Sequence, residues 1–272
     1  KRILTSLIGF PLVVLIIALG TPQIIDFAIM VIAIICMYEY FNVISKICKP
    51  IKWVGYASTI IIFLLSIIPS EIFNLILLFS IPVILLILFL HIILTDMRNT
   101  FKDVAYTFLG IAYVTGFIMF LALIVMTEKG KLMLGYTMMV AWATDVFAYT
   151  VGKYLGKHHF SKISPKKTIE GCIAGLIGAI IVGVIYAIIG NHFANLNFTG
   201  VSYLYVGIVT LVLSIISQIG DFAASSIKRF ADCKDKKALP FDFFVLDYNL
   251  LIEFDGEGHY WDVFGEDSFR KT

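Results

Sequence analysis

Charge is what this chain has least of. Asp, Glu, Lys and Arg make up 15% of its 272 residues, against roughly 25% in an ordinary soluble domain. Cysteine is also sparse: Cys36, Cys48, Cys172 and Cys233 lie far apart, with no C-x-x-C pair. A disulfide framework and a structural zinc site are therefore not expected. No cleavable signal peptide stands out, because the first apolar run follows Lys1-Arg2, ends at Thr21-Pro22 and has no small-residue cleavage pattern. It reads as a first membrane span, and the absence of an initial Met suggests that a residue or two has been lost. With a net charge of only +2, the balance of charges says little about partners; their placement says more.

Apolar residues fill the space that charge leaves. They account for 60% of the chain, with a mean hydropathy of +0.94, and come in runs of about 18 to 24 residues, long enough to cross a hydrocarbon core. The expected fold is all-α: a polytopic integral membrane protein of about eight transmembrane helices. The spans read as Leu4–Leu19, Gln23–Phe41, Trp53–Ile68, Ile72–Leu94, Val104–Met126, Leu132–Val151, Cys172–Ile189 and Val201–Gln218, the fourth open to a kink at Pro82. With a cytoplasmic N-terminus, eight alternating spans put every Lys and Arg except Lys129 and Lys131 on the inside. A wrong span count would scatter them over both sides. The seventh span carries Gly171-x-x-x-Gly175, Ala174-x-x-x-Gly178 and Ala179-x-x-x-Gly183. Small residues four apart let helices approach closely, within one protomer or across a dimer seam.

Two cytoplasmic stretches carry the polar chemistry. The first runs from Asp145 through Tyr149, Gly152-Lys153 and Gly156-Lys157 to Ser164-Pro165-Lys166-Lys167-Thr168-x-Glu170-Gly171. An ionised Asp at a span's end is costly in hydrocarbon and points to a site or a wet cavity. The glycine amides, hydroxyls and ammonium groups that follow suit phosphate oxygens, since several donors can converge on one anion. The other reading is a positive loop that only sets topology. The four-residue spacing of a Walker A loop is missing. The second stretch is Gly220-Asp221, Ser225-Ser226, Lys228-Arg229 and Lys234-Asp235. If the helix continues, Asp221, Ser225 and Lys228 or Arg229 share one face. Such a carboxylate among cations could hold Mg²⁺ beside phosphates, or be an ion-paired helix end with snorkelling side chains. Asp26, Glu39 and His91 sit near span ends, where an interfacial position accounts for Glu39 and a cavity lining is the alternative.

These two stretches, in order, spacing and placement, resemble the phosphatidate cytidylyltransferases (CDP-diacylglycerol synthases) of bacteria over residues 1–235. The resemblance rests on Asp145-x-x-Ala148-Tyr149-x-x-Gly152-Lys153, on Ser164 to Gly171, and on Gly220-Asp221-x-x-x-Ser225-Ser226-x-Lys228-Arg229-x-x-x-x-Lys234-Asp235. It implies transfer of a cytidylyl group from CTP to phosphatidate, releasing pyrophosphate. It also implies a bacterial inner (cell) membrane location with N-terminus and tail cytoplasmic, a homodimer, dependence on Mg²⁺ with a possible second cation, and no nucleic-acid partner. On this resemblance Asp221, Lys228 and Arg229 are catalytic, with Asp221 a metal ligand. Asp145, Tyr149, Lys153, Ser164, Lys166, Lys167, Thr168, Glu170, Ser226, Lys234 and Asp235 are expected to bind substrate.

The chain departs from that pattern after Asp235. The family signature would continue through Leu-Pro-Gly-His-Gly-Gly to a pair of acids and a last helix. Here Leu239-Pro240 leads instead into Phe241 to Leu246, with Asp247 where the first acid would be and a second metal ligand is expected. Residues 236–272 contain no span and read as a foreign soluble tail, with Phe241–Leu246 and Leu250–Phe254 forming a β-hairpin around Asp247-Tyr248-Asn249. Leu239 to Phe243, Leu251 to Tyr260 and Phe264 to Phe269 resemble a fragment of a PD-(D/E)xK-type endonuclease, too short for a nuclease core. The replaced signature makes an inactive relative one alternative, and a membrane transporter another.

Overall fold

The computed structural model describes residues 13–68, 70–161, 164, 167–194 and 202–231, and every regular element among them is a helix: α1 (Pro22–Ile44), α2 (Lys52–Leu65), α3 (Ser70–Leu94), α4 (Phe101–Gly110), a π-helical turn (Ile111–Thr115), α5 (Gly116–Val125), α6 (Gly130–Leu155), α7 (Ile169–Ala194) and α8 (Tyr203–Phe230). Residues 13–19 are helical as well. Of the expected first span only this end is described, and the expected β-hairpin of residues 236–272 lies outside the described residues.

Among the described residues, five stretches are long and apolar enough to cross a membrane: α1, residues 72–94 of α3, the continuous α4–π–α5 segment, α7 to residue 192, and α8. α2 is apolar but only 14 residues long; α6 has 26 residues and carries Lys131, Asp145 and Lys153. α3 passes through Pro82 as one helix. α8 does not stop at Gln218, where the apolar run ends, but continues to Phe230, so the polar stretch around Asp221 is helical.

Local chemistry sets the helix starts. Thr21 caps α1, its hydroxyl accepting the Ile24 amide, with Pro22 at the first helical position. Thr100 and Asp103 form a reciprocal capping box on α4. Asp103 also accepts the Lys49 amide at 2.6 Å, and the Thr107 hydroxyl accepts the Ile51 amide at 2.9 Å. The loop between α1 and α2 is thereby tied to the start of α4. Beside it, burial and the nearby Asp103 push the Cys48 thiol up to about 11, so it stays protonated. Cys36, Cys48 and Cys172 are free thiols.

Two cores result. One joins α1 to α5 around Phe41, Met37, Phe63 and Met119 and reaches Leu134 on α6. The other is a smaller three-helix unit of α6, α7 and α8 around Tyr136, Val140, Ala179, Ala187 and Val206. Ile227 packs on the first core, and the Phe230 ring lies 5.8 Å from that of Tyr106, so the end of α8 rests against α4. Asp26 and Glu39 are 4% and 5% exposed. Glu39 is thus covered by the helices packed on α1.

Candidate functional site

The site lies where α6, the loop after it, α7 and α8 converge. Small residues allow the approach. A Cβ on Gly171 would meet the Ala148 carbonyl oxygen at 2.6 Å and the Gly152 Cα at 3.0 Å. A Cβ on Gly175 would meet the Thr144 carbonyl oxygen at 2.8 Å, and one on Gly183 the Thr210 hydroxyl at 2.6 Å. The small-residue face of α7 is thus occupied by α6 and α8 of the same protomer. Polar ties hold the unit: the Thr144 hydroxyl donates to Ser214 (2.7 Å), Tyr136 and Thr210 share a bond of 2.6 Å, the Tyr186 hydroxyl donates to the Leu132 carbonyl (2.9 Å), and the Gln218 amide donates to the Cys172 carbonyl (3.0 Å).

Within this packing the glycine steps after Asp145 take a different role from the anticipated phosphate cradle. Gly152 lies in the last turn of α6, and the Gly156 amide donates back to its carbonyl at 3.1 Å. Both glycines leave room for Thr168: a Cβ on Gly152 would meet the Thr168 hydroxyl at 3.0 Å, and one on Gly156 would meet it at 2.6 Å. These amides point into the helix ladder rather than toward an anion.

Thr168 is itself repurposed. It is 8% exposed, and its hydroxyl accepts the Gly171 amide at 3.1 Å, capping the N-terminus of α7. Two residues on, Glu170 accepts from the backbone and ring of His158, the latter at 2.6 Å, and a single β-bridge joins His159 to Thr168. The loop is thereby closed onto the first turn of α7. Thr168→Val is expected to lower stability by about 1 kcal/mol, read as a fall in the thermal midpoint in detergent, while Thr168→Ser keeps it. A Val variant with an unshifted midpoint and lost CTP binding would reverse this assignment.

The electrostatic centre is a trio. Asp145, 7% exposed on α6, interacts repulsively with Asp221 on α8 and attractively with Lys167 from the loop. Lys167 pairs directly with Asp221, both partly buried. One ammonium faces two carboxyl groups in a poorly hydrated place, so burial and the neighbouring carboxylate both disfavour a second negative charge there. Lys167 also lies 4.5 Å from the centre of the Phe222 ring, which stacks on Phe160 at 4.7 Å and 26°. Sequence reasoning missed this aromatic pair, and nothing in the spacing of Phe160 and Phe222 announces it.

The other expected site residues divide. Tyr149 and Lys153 pair with each other at the end of α6, ammonium to hydroxyl at 3.3 Å. The Ser226 hydroxyl donates to the Phe222 carbonyl at 2.8 Å, within α8. Lys228 and Arg229 follow Asp221 by about two turns of α8. At Ser164 the carbonyl accepts the Lys167 amide at 3.1 Å. Lys166, Lys234, Asp235 and Asp247 lie outside the described residues.

No cluster of three or more His, Cys, Asp or Glu suited to a metal ion occurs among the described residues. A divalent cation of the magnesium type needs no such cage, because it keeps waters and substrate oxygens and takes one or two carboxylates. Asp145 and Asp221, neighbouring carboxyl groups on two helices with Lys167 beside them, fit that requirement.

Residues 1–240 match the sequence profile of the cytidylyltransferase family. A phosphatidate cytidylyltransferase of Staphylococcus haemolyticus is 32% identical over 249 residues, 90% of this chain and 92% of the relative. Proteins of the same name from Bacillus subtilis and Staphylococcus aureus are 32% and 35% identical over 152 and 160 residues. In those two alignments the chain spans 54% and 58% of the relative's length. With nearly its whole described length matched in this way, the chain belongs to the cytidylyltransferase family.

Proposed function

We propose that this chain transfers a cytidylyl group from CTP to phosphatidate, giving CDP-diacylglycerol and pyrophosphate, at the cytoplasmic face of a bacterial membrane. The observation that carries the reading is the Asp145–Asp221–Lys167 cluster, built at the end of the three-helix unit where the basic residues gather. Family membership and the names of the relatives support it.

In this reaction an oxygen of the phosphatidate phosphate attacks the α-phosphorus of CTP, the bond to the bridging β-phosphate oxygen breaks, and pyrophosphate leaves with that electron pair. The nucleophile is already anionic, so the protein supplies position and charge rather than a base. Lys167 is held on Phe222 and Asp221, where it neutralises phosphate oxygens. Lys228 and Arg229, about 10–12 Å further along α8 at 1.5 Å per residue, face the outgoing pyrophosphate. Asp145 and Asp221 would hold Mg²⁺, which when bound supplies charge neutralisation on the phosphate oxygens. Asp247 is the proposed further acid.

We read the membrane part as eight spans: the helix ending at residue 19, α1, α2, α3, the α4–π–α5 segment, α6, α7 and α8. Every Lys and Arg but Lys129 and Lys131 then falls on the cytoplasmic side with the N-terminus and tail. A homodimer would use a face other than the small residues of α7, which are filled within the protomer.

The test is direct: purified full-length protein with Mg²⁺, CTP and phosphatidate should release pyrophosphate and form a CDP-lipid. A well-folded sample that forms neither would leave only ancestry, with the replaced segment after Pro240 as the cause to examine.

A further inference from the structure

A cleft of about 370 Å³ opens between α7, α8 and the loop that precedes α7, a volume in the range of small-molecule sites. Phe160, Leu176, Ile215, Ile219 and Phe222 line it, with Gln218 among its few polar residues. One end is the Phe222 ring, which carries the Lys167 ammonium on its face and Phe160 stacked against it. The other end is Ile215, two turns back along α8 and about 10 Å deeper in the apolar part of the helix. Ile215 and Ile219 are 41% and 60% exposed, so the cleft is open along the outer edge of the unit.

An amphiphile with an anionic head and an apolar body matches this layout. The head would meet Lys167, and the body would run along Phe222, Ile219 and Ile215 into the depth where membrane chains lie. A nucleobase matches it poorly. Its polar edge needs several donors and acceptors, while only Ser161 and Gln218 among the lining side chains are polar and one Gln218 amide hydrogen already goes to the Cys172 carbonyl.

Resting on the reaction assigned above, we propose that this cleft seats the acyl-glycerol part of phosphatidate, and that Leu176, Ile215 and Ile219 set which chains it accepts. Leu176 forms the inner wall from α7; the two isoleucines form the open edge.

Three variants of the full chain test this against a long-chain (dioleoyl) and a short-chain (dihexanoyl) phosphatidate. Ile219→Trp and Ile215→Trp add bulk at exposed positions that tolerate it, and both should raise KM for the long-chain lipid about tenfold more than for the short-chain one. Leu176→Ala should change the long-to-short preference several-fold in the opposite sense. An unchanged preference in all three variants overturns the proposal, as does a rise confined to the KM for CTP, which would assign the cleft to the nucleotide. Binding is read separately with a phosphatidate carrying a photoreactive diazirine in its acyl chain. It should label the α7 and α8 segments around Leu176 and Ile215 in the wild type and fail to do so in Ile219→Trp. Labelling there by a protein that releases no pyrophosphate would sustain the cleft and sink the reaction; turnover with labelling elsewhere would do the reverse.

Discussion

Asp221→Asn is expected to lower CTP-dependent pyrophosphate release by at least about 10²-fold while leaving the protein folded. The substitution preserves volume and a hydrogen-bond acceptor for Lys167 but deletes the charge around which the cluster is organised. Lys167 is 28% exposed at its side chain, so it reaches water when its partner is neutralised, and the thermal midpoint should move little. A second readout isolates the metal. Mg²⁺ should raise the thermal midpoint of the wild type by preferential binding to the folded state, and that rise should shrink or vanish in Asp221→Asn. Full turnover by the variant, or an undiminished Mg²⁺ shift, would remove Asp221 from the site.

Gly171→Ala should damage both stability and activity through a single methyl group. Its Cβ would stand 2.6 Å from the Ala148 carbonyl oxygen and 3.0 Å from the Gly152 Cα. Both are backbone atoms, which cannot swing aside as a side chain can, so α6 and α7 must move apart. Overpacking of this kind costs about 1–3 kcal/mol. Asp145 rides on α6 and Lys167 precedes α7, so a displacement of about 1 Å between them is expected to cost about 10²-fold in turnover. Gly116→Ala is the control: nothing lies within 4 Å of its Cβ, and in a helix the change should be neutral or stabilising by about 0.5–1 kcal/mol. Thermal unfolding and turnover measured on both variants decide the matter; equal effects would show that close helix approach is not what Gly171 provides.

Much of this is legible in the amino-acid sequence. Among the described residues the apolar runs locate every long helix, though not every end, since α8 continues to Phe230 beyond its apolar run. Asp145 and Asp221 stand out because a carboxylate beside a membrane span has few structural excuses. The small-residue steps of α7 make contacts within one protomer, the first of the two uses their spacing allows, since α6 and α8 are its sequence neighbours. Other features differ between sequence and structure for a common reason. The Ser226 hydroxyl and the Gly152 and Gly156 amides are groups a phosphate could use, but they are first claimed by the backbone next to them, and Thr168 also serves as a helix cap by accepting the Gly171 amide. Composition and spacing do not reveal which hydroxyl is already spent. Linear distance to a span end says nothing about which helices pack around Glu39, which is buried.

The one-dimensional pattern therefore decides the class, the helices and which charges matter, because burial in lipid penalises every ionised group and so makes each survivor conspicuous. Tertiary structure alone decides which of them meet. Lys167 lies 54 residues from Asp221, and Phe160 reaches Phe222 only because glycines on α6 and α7 let three helices close together. That convergence turns a membrane domain with scattered acids into one buried and one partly buried carboxyl group beside a single ammonium, with an apolar cleft next to them. It depends on steric fit between backbones, a property that no residue carries by itself.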